Sequence, residues 1–395
     1  MPSLKYLVEQ AEIPGISIAT FGKGDGVQTE VQGTRKTGED DEKINTETVF
    51  EAASLSKPVF AYIVIKLAER GIIDLKKSLC EYTSKFGPPN LRGAAEHSAL
   101  TASNILSHQA GLPNGFESQF LATPNSRFDY SGFAYCFLHD VIEEITGEKF
   151  DDLTREILGN IGMTSSCYYY PESSETNIAV GHSETGNPDI NPHFERKSEK
   201  THPIHPGASL YTTAEDYTKF LQACVKDKYV SKIMFNDPKV RVELAGNDVK
   251  GQIAGVPDEY MEKLSWGLGI GIQRNSDQSM TLFHWGDNAT FRNFTAVRLN
   301  KNGSARGGVT CLINSANGPA VFRAVAEPVV GDIEAIAQWL SIREKLNVKI
   351  SSPTTSSKLI TPGYYRHTQS SFAKVKDKQE SDFPSPPSKN KLVKP

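Results

Sequence analysis

The chain has no apolar run of about eighteen residues, so no membrane-spanning helix is expected. It has no basic segment followed by an apolar core at its start. Met1-Pro2-Ser3-Leu4-Lys5-Tyr6 enters an amphipathic helical pattern directly, and a cytoplasmic location is the default expectation. Charge of one sign is also scarce. Lys and Arg total 43 against 47 Asp and Glu, a net charge of -4, which argues against nucleic acid or an anionic membrane surface as the main partner. The 5 cysteines, Cys80, Cys136, Cys167, Cys224 and Cys311, are odd in number, scattered and mostly set in apolar runs. They read as buried thiols, with neither a disulfide framework nor a CxxC zinc site.

Several motifs are absent as well. Without a G-x-S-x-G elbow, an α/β-hydrolase triad has no anchor, and there is no H-E-x-x-H zinc helix. His182, His193, His202 and His205 share a loop-rich stretch, but their spacings fit no standard ligand set, so they read as solvated loop histidines. Lys23 among Gly22, Gly24 and Gly26 reads as a turn, because the spacing and ending of a phosphate loop are missing. Gly267-Leu268-Gly269-Ile270-Gly271 precedes strand text with no helix behind it, which excludes a nucleotide fingerprint.

What is present is an ordinary globular composition, 38% hydrophobic and 23% charged over 395 residues, enough for a two-lobed core. Gly15–Phe21 and Val27–Val31 read as a hairpin. From Ile72 to Ala208 the text is helical and loop-rich, with helices expected at Phe133–Ile145 and Phe150–Ile161. Strand signals return at Leu268–Gln273, Met280–Trp285, Phe294–Leu299 and Val309–Ile313, and a helical run follows from Ala320 to about Lys345. The pattern implies an α/β (α+β) fold with one antiparallel sheet built from both chain ends and a mostly helical insertion. Residues 1–75 and 265–350 form the sheet-containing lobe of this reading, and 76–264 the helical lobe. Residues 351–395, rich in Ser, Pro and Lys, read as a disordered basic tail.

The chemistry begins at Ser54-Leu55-Ser56-Lys57. A strand-like run, Thr48–Ala53, gives way there to an apolar helix with Pro58 in its first turn and a stop at Gly71. Helix positions three apart share a face, so Ser54 Oγ and Lys57 Nζ can meet where free backbone N–H groups favour negative charge. S-x-x-K is weak by itself. Ser371–Lys374 and Ser388–Lys391 match it too, but in the polar tail, with no core to make them rigid. Tyr130-Ser131-Gly132 before a helix and His284-Trp285-Gly286-Asp287 on a late strand add two further pieces.

Taken in order, the chain resembles the serine β-lactamase and penicillin-recognising family, in its class C, esterase and D-aminopeptidase-like branch. The resemblance spans roughly residues 5–345. It rests on Ser54–Lys57, Leu106–Pro113, Tyr130–Gly132, Leu158–Thr164, Gly207–Asp216 and His284–Gly286. It implies a β-lactamase/transpeptidase-like fold and a serine hydrolase that needs no metal and no cofactor and acts on a small ester, amide or peptide. Ser54 would be the acylated nucleophile, with Lys57 and Tyr130 as a coupled proton-transfer pair. The N–H groups of Ser54 and Asp287 would form the oxyanion hole, and His284, Gly286 and Gly132 would line the pocket.

Two departures bear on substrate. The most similar lactamases carry asparagine where this chain has Gly132, and usually a lysine where it has His284, which is mostly neutral at pH 7. An esterase or peptidase is therefore preferred to a true β-lactamase, and a catalytically weak scaffold is the third reading. The sequon Asn288-Ala289-Thr290 lies beside the expected site, which argues against glycosylation there.

Overall fold

Gly15–Phe21 (β1) is buried along nearly its whole length, as befits a strand covered on both faces. Its neighbours explain why. β1 pairs on one side with Val27–Lys36 (β2), and on the other with Ala305–Ile313, the last strand of the sheet, placing Ile16 opposite Ile313. The computed structural model describes residues 3–22, 24, 26–38, 42–115, 119–169, 177–188, 204–236, 242–243 and 256–342. Lys23 and the 351–395 segment lie outside them.

In chain order the remaining strands are Glu42–Lys43 (β3), Phe50–Glu51 (β4), Tyr211–Thr212 (β5), Val242–Glu243 (β6), Leu264–Trp266 (β7), Gly271–Arg274 (β8), Met280–Asp287 (β9), Arg292–Leu299 (β10) and Ala305–Ile313 (β11). Nine of the eleven described strands form one antiparallel sheet in the order β3-β2-β1-β11-β10-β9-β8-β7-β6, and β4 pairs separately with β5. Strands from both sides of the helical stretch thus make a single sheet.

Helices cover both faces. Leu4–Ala11 (α1) packs Leu4, Leu7 and Val8 into a core with Ile16, Ile18, Val309, Phe322 and Val325. Phe294 and Phe322 stack there with ring centroids 5.3 Å apart. On the opposite face, Ala214–Lys226 lies against the sheet, and Thr218 Oγ1 is 2.9 Å from Thr310 Oγ1. Behind it runs Ser56–Glu69 (α2), whose residues 56–65 are all buried. A helix apolar on every side belongs in the middle of a lobe. Each fully buried Val, Ile or Phe there contributes roughly 1.5–3 kcal/mol of transfer free energy. Phe133–Thr146 and Phe150–Gly159 complete this lobe, with Phe60 set 5.5 Å from Tyr135 and 5.3 Å from Phe150 by ring centroids.

Three expectations needed correction. Of Thr48–Ala53 only Phe50–Glu51 is a strand, because Ala53 adopts φ 49 and turns the chain. The late helical run divides into Phe322–Val330 and Glu334–Trp339, with Gly331 at φ 77 between them. The strand expected at Leu268–Gln273 is Gly271–Arg274 instead, because the chain turns between β7 and β8 through Gly267–Ile270. Gly269 (φ 74) approaches α2 so closely that a Cβ would lie 2.5 Å from Ala61 Cβ and 3.0 Å from the Lys57 carbonyl oxygen. Among the described residues, no helix is long and apolar enough to cross a membrane. All five cysteines are free thiols.

Candidate active site

Ser54 lies in a 3-10 turn, Ala53–Leu55, that leads directly into α2. The left-handed φ of Ala53 aims this turn, at a cost of about 1–2 kcal/mol for a residue with a Cβ. The surroundings hold it. Ala52 N–H donates to Leu210 O at 2.8 Å, and Leu210 N–H donates to Ser56 Oγ at 3.0 Å. Ser56 Oγ donates to Ala53 O at 2.6 Å, while the hydroxyls of Tyr217 and Tyr168 reach Leu55 O and Ser56 O, each at 2.9 Å. Ser54 itself remains partly exposed.

Lys57 Nζ is 2.9 Å from Ser54 Oγ and donates to Gly207 O at 2.9 Å. Its side chain is buried, and burial lowers its pKa from 10.5 to about 7. The Tyr130 ring centroid is 4.7 Å from Nζ. A Cβ at Gly132 would stand 3.7 Å from the same nitrogen.

The Tyr130–Gly132 loop is fastened by residues to which the sequence assigned no role. Ser131 N–H donates to His108 Nδ1 at 3.1 Å, Ser131 Oγ donates to Pro113 O at 2.7 Å, and Gly132 N–H donates to Asn114 Oδ1 at 2.8 Å. His108, with φ 58, lies 4.2 Å from Tyr130 between ring centroids. Trp285 is 5.2 Å from Tyr130 by the same measure and Trp266 6.1 Å, so the tyrosine stands against an aromatic wall.

His284 is fully buried on β9, and its Nδ1 lies 2.7 Å from Trp285 O. That contact places the proton on Nδ1 and leaves Nε2 an acceptor, which is sealed from solvent with no protein partner among the described residues. Burial, then the nearby Lys57 charge, depress its pKa to about 3, so the ring is neutral. Two residues on, Gly286 packs against the nucleophile turn, where a Cβ would lie 2.2 Å from Ala52 O. Asn293 Nδ2 donates to Glu51 O at 2.9 Å and Asn288 Nδ2 to Glu51 Oε2 at 2.5 Å, clipping β9 and β10 to the strand before Ser54. The Asp287 carboxylate faces away into an ion pair with Arg292 at 3.2 Å and accepts from Ala289 N–H at 2.8 Å. The sequon asparagine, Asn288, is buried.

Two of the loop histidines, His182 and His205, are held within the fold and not freely solvated as expected. His182 is fully buried and structural; it accepts from Thr37 N–H at 3.2 Å, and its Nδ1 is 2.8 Å from Asn314 O. His205 reaches the site, with Cε1 3.4 Å from where a Cβ on Gly132 or Gly207 would be. Burial, then Lys57, lower its pKa to about 4. His193 and His202 lie outside the described residues. Among those described, no three His, Cys, Asp or Glu side chains converge as a metal site.

Ser54, Lys57, Tyr130, Gly132, His284 and Gly286 lie around one centre. His108, Asn114, His205, Gly207 and Trp266 join them through tertiary structure alone. Only His108 and Gly207 lay within segments that the resemblance singled out.

A sequence model described as Beta-lactamase matches residues 4–329. The structure resembles the D-alanine carboxypeptidase AmpC of Burkholderia cenocepacia at TM-score 0.60 and 17% identity, covering 85% of this chain and 95% of that one. It resembles the octameric penicillin-binding protein homologue of Pyrococcus abyssi at TM-score 0.60 and 18% identity, covering 86% and 76%. Among curated proteins, penicillin-binding protein 4 of Amycolatopsis lactamdurans is 23% identical over 192 residues, 43% of this chain and 49% of that protein. Protein flp of Staphylococcus aureus (strain N315) is 22% identical over 256 residues, 58% and 49%. The chain thus spans about half the length of the curated relatives it matches. The model match covers most of the chain, and the sheet, the helical lobe and the Ser54–Lys57 contact agree with it: the chain belongs to the Beta-lactamase family of serine hydrolases.

Proposed function

We propose that the protein transfers the acyl group of an ester, amide or small peptide to Ser54 and then to water. The observation that carries this reading is a buried lysine, with its pKa near neutrality, 2.9 Å from a partly exposed serine hydroxyl. A free lysine is almost wholly protonated at pH 7, whereas burial brings this one's pKa down to about 7, where its neutral form can accept a proton.

In the first half-reaction Ser54 Oγ bonds to the substrate carbonyl carbon while its proton passes to Lys57 Nζ. The carbonyl oxygen gains the negative charge, and the backbone N–H groups of Ser54 and Asp287 receive it. One such donor is worth roughly 3 kcal/mol in a transition state. The carbon–leaving-group bond then breaks, and the leaving group takes a proton from the Lys57–Tyr130 pair. In the second half-reaction water attacks the acyl carbon, gives its proton to the same pair, and Ser54 departs with that proton as the acid is released.

His284 and Gly132 shape substrate choice. His284, buried and neutral, brings no positive charge to the pocket for a carboxylate, and Gly132 offers no amide. Both favour a neutral ester or an amide with a donor group over a penicillin. A β-lactam remains the second reading, supported by the relatives named above, and a binding scaffold with little catalysis the third.

Mass spectrometry after incubation with a fluorophosphonate tests the chemistry. An adduct on wild type that is absent from Ser54→Ala supports it, and no adduct on wild type overturns it. Chromogenic esters, D-amino-acid amides and a cephalosporin, run on both proteins, then rank the substrate classes. Full biological activity in Ser54→Ala would favour the scaffold.

A further inference from the structure

Two glycines face the head of Lys57. A Cβ on Gly132 would lie 3.7 Å from Nζ, and one on Gly207 would lie 3.3 Å from Nζ and 3.4 Å from Cε. The same two positions stand 3.4 Å from His205 Cε1. The half-buried imidazole therefore borders the space beside both glycines, on the side where the lysine head lies.

The backbone explains how it is held there. Residues 205–209 form a tight turn in which Ala208 and Ser209 N–H groups donate to His205 O at 2.9 Å, and His205 N–H donates to Ser209 Oγ at 3.1 Å. This turn also carries Gly207 O, the acceptor for Lys57. One short segment supplies both the hydrogen-bond partner of the lysine and the ring beside it.

We propose that His205 is a positioning residue for the Ser54–Lys57 pair, its imidazole filling the space beside Gly132 and Gly207 so that Lys57 is kept dry and aimed at Ser54. The inference rests on the acyl-Ser54 reading above. Its physical content is desolvation: a lysine reached by water regains its ordinary proton affinity and stops serving as a base. The titratable groups around the ring and the lysine are Lys57 of α2, His108, Tyr130, Tyr135, Cys136 and His139 of Phe133–Thr146, and His284 of β9. Of these, His108, His205 and His284 have pKa values pushed below the ordinary histidine range by burial, and Cys136 is pushed up to about 12.

The test is the rate of fluorophosphonate labelling of Ser54 against pH in wild type, His205→Ala, Gly132→Asn and the double variant, with melting temperatures alongside. In His205→Ala the midpoint of the pH profile is expected to move up by about one unit, with labelling at pH 6 falling roughly tenfold. Gly132→Asn alone, crowding His205, is expected to be slow as well. The double variant, in which the asparagine takes the vacated space, is expected to label faster than either single variant. An unchanged profile in His205→Ala, or a double variant no faster than the slower single one, overturns the inference. If wild type is not labelled at all, the acyl-Ser54 reading fails and takes this inference with it; a labelled wild type with an unaffected His205→Ala removes the His205 role alone.

Discussion

Lys57 Nζ and the Gly207 carbonyl oxygen are 150 residues apart in sequence and 2.9 Å apart in space. The contact satisfies a buried amine without giving it a negative partner. A carboxylate in the same place would hold the lysine protonated, whereas a neutral carbonyl leaves burial as the dominant influence on its pKa.

The rate of Ser54 acylation should therefore follow the deprotonation of Lys57. With a pKa of about 7, labelling is expected to rise tenfold per pH unit below that value and to level off above it. A profile flat between pH 5 and pH 9 in initial-rate labelling would exclude Lys57 as the base.

The same shift has a cost in stability. Between about 7 and 10.5 the unfolded lysine is protonated and the folded one is neutral, so the unfolded state binds more protons and wild-type stability rises with pH across that window. Below pH 7 the full penalty is present. Lys57→Met, which has no charge to bury, is expected to gain a few kcal/mol over wild type at pH 6 and to lose most of that advantage by pH 10, while abolishing labelling. Urea unfolding at the two pH values measures the difference, and an advantage independent of pH would contradict the assignment.

Gly286 permits β9 to touch the nucleophile turn. Gly286→Ala places a methyl group 2.2 Å from Ala52 O, so the strand must retreat by about 1 Å. Displacements of that size at reacting groups cost about 100-fold in rate. We expect labelling to fall by that order while the melting temperature changes little, because only one end of the strand moves. Wild-type labelling in Gly286→Ala would show that β9 takes no part in the acylation step.

His284 is buried beside Lys57, and a longer cationic side chain there tests whether this position can be made to reach a substrate carboxylate. His284→Lys is expected to lower KM for a cephalosporin roughly tenfold, the equivalent of one charge-assisted contact. Neutral esters should gain nothing. Parallel steady-state assays on the two substrates decide it, and equal changes for both would remove His284 from substrate choice.

The Ser54–Lys57 pair was legible in the sequence because its two parts are local, whereas Tyr130 and His284 entered through the order of motifs in the family resemblance. The three-residue spacing of Ser54 and Lys57 survives folding, and Gly15–Phe21 and Phe133–Ile145 carry periodicities that match the observed elements closely. What was not legible depends on distant parts of the chain. His205 looked like a loop histidine because nothing nearby in sequence marks a turn destined to sit on Lys57. The need for glycine at Gly269 was hidden because the Ala61 contact that requires it comes from a helix distant in sequence. The Thr48–Ala53 run looked like a strand throughout, since no local pattern announces that Ala53 will take a left-handed φ to aim the serine.

The pairing of β1 with β11 also governs assembly. Ile16 meets Gln32 early, but its other partner, Ile313, is made far later, so the β1–β11 seam is among the last surfaces a growing chain can close. Contacts so distant in sequence make folding slow. Through most of synthesis the nucleophile turn therefore exists without the β9 strand that packs on it. Catalytic competence would be a property of the finished chain, and an incomplete one emerging from the ribosome would carry the serine and the lysine with no means of using them.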